Sequence, residues 1–541
     1  MAADVVDAGD GLPLTVPALL AERVAARGDH ALLVCDDDVL TYAEADRRSA
    51  VLARGLLAAG VGKGGRVGLL HPNGSDFAVG WLAAARVGAI TLPLSTFSTA
   101  AELADLLRRA DVQLLLASTS YRSRDHVADL GRAIPALDLG AEPPLLDAST
   151  PALRRLAFGP AVPGAARGWD VDDLVAGGAT VAEEVLVAVE AAVTPADRMA
   201  IVHTSGSTSA PKGVIHQHGP LLRHVDNLNE LRRYTDAEVL FSNSPFFWIG
   251  GFAYGLLGTL LAGATLVCSN ATDAGITLDL LERTRPTMVN GFAASVAHLA
   301  RHPSFPDRDL SSIRRGNLWP IMPDDVRAAD PELRHNMLGT TEAGSVCLAS
   351  EDEGDQPERR RGSFGRPVPG FEARIVDPDT LEDRPQDEVG ELWLRSPFLM
   401  EGYDGRTRDD TFTPDGWYRT GDLFHVDEEG FFHFTARAGD MIKTAGANVS
   451  PREVEAAIAD ATGLVAHVLG IDDAERGQLV AAAVRVPEGA TGPSEEELRA
   501  ALRERLSAYK VPRRVLFLPD DQVPTMSSGK LDARALRERF G

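Results

Sequence analysis

Thr204-Ser205-Gly206-Ser207-Thr208-Ser209-Ala210-Pro211-Lys212-Gly213 places five hydroxyl side chains, two glycines and a lysine within ten residues. The apolar run Met199 to Val202 leads into it and reads as a short buried strand. Glycine lets the backbone turn tightly and bring its N–H groups close to a ligand. Hydroxyls and N–H groups are neutral donors for phosphate oxygens, and the lysine adds a point charge. The order Pro-Lys-Gly is not that of the common P-loop, in which Gly-Lys-Ser/Thr opens a helix. A polyphosphate-cradling loop at the end of a strand is therefore expected, against the plainer alternative of a solvated Ser/Gly loop.

Only five lysines occur in the chain, at 63, 212, 443, 510 and 530, and the other 49 of its 54 basic residues are arginine. A lysine kept under such a bias suits work that needs a compact, strongly hydrated charge. Lys212, Lys443 and Lys530 all stand in glycine-containing loops.

With 541 residues, 44% of them hydrophobic and 24% charged, the chain is expected to be globular and multidomain. A formal charge of −24 argues against nucleic acid and anionic membrane surfaces. Cys35, Cys268 and Cys347 fit no disulfide or zinc spacing, and a reducing cytoplasm is expected. His203, His216 and His218 lie close together, but no carboxylate or cysteine completes a metal set with them. Met1 to Asp10 lacks the basic and apolar regions of a signal peptide. Val239 to Thr272 carries no charge, yet Asn243, Pro245, five glycines and Asn270 break it. It reads as a buried helix over about 251–261 and a strand over 264–268, not a membrane span.

Thr41 with Glu44 predicts a capping box before a helix running to Ala59. Strands at 66–71, 89–93 and 112–117 alternate with helices at 77–86 and 101–109, the pattern of parallel sheets covered by helices. Residues 141–192, rich in Ala, Gly and Pro, read as a long surface excursion. Segments 371–376 and 390–395 read as antiparallel strands, with a turn at Asp415-Gly416. Ser450-Pro451-Arg452-Glu453 opens a helix, 465–471 and 479–486 read as strands, and Ser494 with Glu497 caps another helix. The expected fold is α/β: a large N-terminal domain of helix-covered parallel sheets with a small β-barrel-like part, residues 1–438, and a small mobile α+β domain, residues 439–541.

Four more segments stand in order behind the Thr204 loop: Leu338-Gly339-Thr340-Thr341-Glu342, Tyr418-Arg419-Thr420-Gly421-Asp422, Arg437 with Ile442-Lys443-Thr444-Ala445-Gly446-Ala447-Asn448, and Pro524-Thr525-Met526-Ser527-Ser528-Gly529-Lys530. Together they resemble the acyl-adenylate-forming superfamily of acyl-CoA synthetases, peptide-synthetase adenylation domains and luciferases, and stand-alone acyl-CoA synthetases above all. The resemblance implies an AMP-forming acid ligase that uses ATP and Mg²⁺, with CoA or a carrier thiol as acceptor. It implies that Thr204, Ser205, Gly206, Ser207, Thr208 and Lys212 hold the β- and γ-phosphates, that Gly339 and Thr340 belong to the nucleotide site, and that Thr341 meets the α-phosphate. Glu342 and Thr208 would serve the metal, Asp422 both ribose hydroxyls with Arg437 nearby, Lys530 the reacting acid and α-phosphate, and Lys443 the thiol step. The hinge falls on Gly439, where relatives usually carry Asp or Lys; glycine eases the rotation but brings no side chain.

The acid pocket is where the sequence departs from its relatives. Pro245-Phe246-Phe247-Trp248 replaces the usual Pro-x-x-His, Leu318-Trp319-Pro320-Ile321-Met322 replaces the small-residue run, and Leu338 stands where an aromatic usually stacks on adenine. Trp248, Asn290, Trp319 and Leu338 are the expected lining, and two indoles favour a small or planar aromatic acid over a long-chain one. Two other readings stay open: activation of another oxyacid such as nitrite with transfer to an aromatic amine, and a nucleotide-binding sensor without turnover. With eleven residues beyond Lys530, no fused carrier domain is expected. The oligomeric state is open, a homodimer included.

Overall fold

The structure is a computed structural model that describes residues 11–204, 211–437, 441–487, 492–519, 522–524 and 531–540. Two sheets form the large N-terminal part. The first has seven strands in the order 402–403, 212–217, 198–204, 90–93, 66–70, 114–118 and 155–159. Its last five run parallel, and the first two pair antiparallel. The second runs 315–316, 288–289, 239–241, 265–268, 31–35 and 38–41, parallel except at the final hairpin.

Between the sheets lie the helices Tyr42–Ala58 and Ser75–Arg86. Every residue of the second except Asp76 is buried, which its Ala- and Gly-rich sequence permits because small side chains let helix and sheets approach closely. Phe77 and Trp81 meet Phe252 edge-on, with ring centroids 6.4 and 5.3 Å apart. The Tyr42 hydroxyl, buried with them, donates to the Ala264 carbonyl at 2.8 Å.

A three-stranded sheet (338–340, 345–349, 366–367) and a four-stranded antiparallel sheet (372–376, 390–395, 418–426, 432–437) follow. The smaller C-terminal domain is a five-stranded sheet with its own apolar core around Val454, Ile458, Val480, Val484 and Leu502. Ser450 and Ser494 cap its helices as the sequence predicts, accepting from the Glu453 and Glu497 N–H groups. The inferred boundary at 438–439, with Gly439 as hinge, lies outside the described residues.

Two sequence readings need correction. Residues 141–192 are not a surface excursion: Arg155–Gly159 is the outer strand of the seven-stranded sheet, and Leu156, Phe158, Trp169, Leu174 and Leu186 are buried. The strand has only three consecutive buried residues, too few for a periodic signal among the surrounding Ala, Gly and Pro. The capping box at Thr41 is half formed. Thr41 Oγ1 accepts from the Glu44 N–H at 3.1 Å, but the Glu44 carboxylate turns outward to Arg47 at 2.7 Å.

The uncharged segment folds as a buried π-helix, Gly250–Leu257, continued by Gly258–Ala262 and the strand Thr265–Cys268. A Cβ on Gly251 would stand 2.1 Å from the Pro245 carbonyl oxygen. Glycine there lets the helix close onto the loop that presents Trp248. π-Turns of this kind recur at functional sites.

Candidate active site

Ligands of open α/β sheets bind beyond the carboxyl ends of the parallel strands, and here those ends meet one cleft of about 1160 Å³. Thr204 ends one strand, while Trp248, Asn290 and Trp319 follow the ends of strands 239–241, 288–289 and 315–316. The Leu338–Glu342 segment, Tyr418 to Asp422, and Lys443 with Ala445 to Asn448 line the same cleft. The structure thus brings together Thr204, Lys212, Gly339, Thr340, Thr341, Glu342, Asp422, Lys443, Trp248, Asn290, Trp319 and Leu338. Ser205, Gly206, Ser207, Thr208 and Lys530 lie outside the described residues. Arg437 is described as the backbone partner of Asp422 across two antiparallel strands, and its side chain lies outside the description.

Lys212 opens a strand that pairs with Thr204, so these two residues of the motif lie opposite each other on one ladder. Its ammonium stands 5.0 Å from the centre of the Tyr403 ring. Thr340 Oγ1 accepts from the Ala343 N–H at 3.1 Å, which tightens the turn that presents Thr341 and Glu342. Glu342 Oε1 accepts from the Tyr403 hydroxyl at 2.9 Å. Asp422 is buried, and its N–H donates to Thr420 Oγ1 at 3.0 Å, while the Thr420 hydroxyl is itself held by the Leu392 carbonyl. The Glu391 carboxylate steadies the same turn, taking the Gly421 N–H at 3.1 Å and Arg419 at 2.7 Å. Tyr403 and Glu391 carry much of this scaffold, and sequence reading missed both; the one signal was that each lies in a strand flanking the motifs.

His216 and His218 are buried and do not line the cleft. Burial holds both at about 4, so they are neutral, and His218 Nδ1 accepts the Val16 N–H at 3.2 Å.

In the acid region the Trp248 ring meets Phe247 and Phe292 edge-on, with centroids 5.6 and 6.5 Å apart. Neither the Trp248 nor the Trp319 indole N–H has a hydrogen-bond partner among the described residues, and both rings are half-buried in the cleft wall. Lys443 and Asn448 face each other on a hairpin turned by Ala445 and Gly446, at φ 48° and 87°. Gly446 lies on the Phe292 ring: a Cβ there would be 2.6 Å from its carbons.

The donor set suits a nucleotide triphosphate: the Lys212 cation beside Thr204, the buried Asp422 carboxylate, and Glu342, all on one cleft. Mg²⁺ prefers hard oxygen ligands and is commonly held by one or two carboxylates plus substrate phosphates; Glu342, with one oxygen already fixed by Tyr403, fits that requirement.

The fold and site define an adenylating enzyme, and the chain belongs to the AMP-binding enzyme family, whose model matches residues 20–404, with the AMP-binding enzyme C-terminal domain at 453–530. Feruloyl-CoA synthase of Amycolatopsis is 33% identical over 515 residues, covering 93% of this chain and 94% of its own. The mitochondrial medium-chain acyl-CoA ligase ACSF2 of Mus musculus is 28% identical over 529 residues, covering 94% and 85%. Among solved structures, the amide bond synthetase McbA of Marinactinospora thermotolerans matches with a TM-score of 0.77 and 26% identity, over 96% of this chain and 99% of that one. This protein is an AMP-forming ligase of the acyl-CoA synthetase type that adenylates an acid at the expense of ATP. No described helix is long and apolar enough to cross a membrane.

Proposed function

We propose that the enzyme activates a small or planar aromatic carboxylic acid as its acyl-adenylate and passes the acyl group to the thiol of CoA or of a separate carrier protein. The observation that carries the substrate class is the pair Trp248 and Trp319, which follow strands 239–241 and 315–316 on either side of the strand that leads to Asn290, with Leu338 on the same cleft. Two rings there leave a slot suited to a flat body, with a few polar groups to orient it. Similarity to feruloyl-CoA synthase is in keeping with this.

In the first step an acid oxygen bonds to the α-phosphorus and the bond to the β-phosphate oxygen breaks, releasing pyrophosphate. Both reactants are anionic, so positioning and charge neutralisation carry the rate. Lys212 and residues 204–208 bind the β- and γ-phosphates, Thr341 the α-phosphate, and Asp422 the ribose hydroxyls with Arg437 beside them. Lys530 bridges the acid and the α-phosphate. Mg²⁺, when held by Glu342 and Thr208, supplies further neutralisation of phosphate charge. In the second step the thiol sulfur attacks the acyl carbonyl and AMP leaves, guided by the Lys443–Asn448 hairpin after rotation about Gly439. The small domain then comprises residues 439–541 and the adenylating domain 1–438, acting in the cytoplasm. An amine in place of the thiol is the second reading, favoured by the likeness to the amide bond synthetase.

ATP–pyrophosphate exchange over a panel of small aliphatic and aryl acids, with nitrite included, tests the first step. Exchange with an aryl or small acid, and a Trp319→Gly variant that extends it to bulkier acids, is the expected result. Consumption of ATP only with nitrite and an aromatic amine would favour diazotisation, and binding of ATP without turnover a sensor. Gly446→Ala tests the second step. The positive φ and the collision with Phe292 put about 1–3 kcal/mol on the hairpin's approach, so thioester formation should fall about 10- to 100-fold with exchange unchanged. An equal fall in both reactions would remove the hairpin from the thiol step.

A further inference from the structure

Tyr403 touches three of the elements that hold the nucleotide, and no family motif used above includes it. It lies on the two-residue strand Gly402–Tyr403, whose register sets Tyr403 directly opposite Val214. Side chains alternate along a strand, so Lys212, two residues before Val214, is a diagonal neighbour on the same face. That placement brings the Lys212 ammonium to 5.0 Å from the ring centre. At the other end of the side chain the hydroxyl donates to Glu342 Oε1 at 2.9 Å and lies 3.2 Å from the Tyr418 hydroxyl, at the start of the strand that carries Asp422. Tyr403 and Tyr418 are both buried. The carboxylate oxygen of Glu342 accepts, so the Tyr403 hydroxyl is the donor of this bond.

We propose that Tyr403 is a positioning residue for the metal–triphosphate unit: its hydroxyl fixes one oxygen of Glu342 so that the carboxylate presents the other, while its ring seats the ammonium of Lys212. The proposal rests on the reading of Glu342 as the carboxylate that meets Mg²⁺. A carboxylate on a short side chain rotates freely unless one oxygen is held, and a hydrogen bond from a neutral phenol holds it without cancelling its charge. A lysine or arginine in that place would orient Glu342 equally well but would neutralise the anion that a cation requires. The phenol also joins Glu342 to the Tyr418 end of the ribose strand, so the two ends of the nucleotide share one rigid reference.

Calorimetric titration of the full-length protein with ATP, once in EDTA and once in excess Mg²⁺, separates this role from general packing. Tyr403→Phe keeps the ring and loses the hydroxyl. Its affinity for ATP in EDTA should equal that of the wild type, while the affinity gained on adding Mg²⁺ should shrink about tenfold, the size of one hydrogen bond to a charged group. Tyr403→Leu removes the ring as well and should weaken ATP binding in EDTA too. On a Glu342→Gln background, Tyr403→Phe should change nothing further, because the group it orients is gone. A Tyr403→Phe protein that binds ATP like the wild type in both buffers would overturn the proposal, as would one weakened equally in both. Wild-type protein whose ATP affinity ignores Mg²⁺ would instead overturn the metal reading of Glu342, on which the tyrosine's role depends.

Discussion

Lys530→Ala is expected to slow acyl-adenylate formation by roughly two to three orders of magnitude while ATP still binds. The acid and the α-phosphate both carry negative charge, and charge accumulates on the oxygens around phosphorus as the new bond forms. A donor aimed at that developing charge, in a site closed to water, is worth on the order of 10²–10³ in rate when removed. On the proposed roles the ground-state complex loses less, because the β- and γ-phosphates and the ribose keep Lys212, Thr341 and Asp422, all of which line the cleft. A compact ammonium can approach two anionic oxygens at once, so Lys530→Arg should rescue little. Single-turnover formation of the adenylate, measured beside equilibrium ATP binding, checks this. Unchanged turnover would remove the role, and an equal loss in binding would make Lys530 a nucleotide anchor instead. In the described structure the Lys443–Asn448 hairpin borders the cleft, and on the proposed roles Lys530 and Lys443 would serve different half-reactions.

The sequence exposed those parts of the site whose chemistry forces unusual composition. A triphosphate turn needs glycine and hydroxyls together, and a lysine is conspicuous when 49 of 54 basic residues are arginine. Regular strand–helix alternation likewise marked the parallel sheets, because fully buried strands such as Leu114–Ser118 are continuous apolar runs. What stayed hidden depends on contacts between distant segments. Tyr403 looks like any tyrosine after a glycine until strand pairing sets it opposite Val214. Glu391 reads as a polar residue in a strand, and only the fold turns it toward the Gly421 N–H and Arg419. Arg155–Gly159 was lost because an edge strand with three buried residues carries no period long enough to rise above its Ala- and Pro-rich surroundings. Glu102 and Lys510, 408 residues apart, gave no signal that they meet.

That meeting supports the other large effect, Lys510→Met, which should loosen the small domain and cripple acyl transfer more than adenylation. The Lys510 ammonium donates to Glu102 of the large domain at 2.8 Å and to Glu453 of its own domain at 2.7 Å. Ser507 adds a bond to Glu102 at 2.7 Å, and the Thr99 N–H another at 2.8 Å. All three charged side chains are largely buried. Removing the shared cation leaves two carboxylates in a poorly solvated space, and breaking a buried pair in this way costs about 3–5 kcal/mol. Methionine fills most of the volume, so the loss is chiefly electrostatic.

The pH dependence gives the test its sign. In the wild type, Glu102 is held below the usual carboxylate range: burial opposes that, but the ammonium and the hydrogen bonds prevail. A lowered folded-state value means that its contribution is present above the unfolded value and is lost as pH falls through the folded one. Glu453 goes the other way, raised chiefly by burial despite Lys510, so it takes up a proton first and relieves the surplus negative charge. The wild-type interface should therefore tolerate mild acid and fail only when Glu102 protonates. In Lys510→Met both carboxylates lack their cation, burial raises both, and each destabilises more as pH rises. The gap in thermal stability between variant and wild type should then be widest at neutral pH and close as pH falls toward 5. A gap that stays constant over that range would show that Lys510 acts through packing alone. Thioester formation and pyrophosphate exchange, measured at neutral pH in the same variant, complete the test. Loss of the first with survival of the second identifies the Glu102–Lys510–Glu453 cluster as what holds the small domain where the Gly446 hairpin meets Phe292.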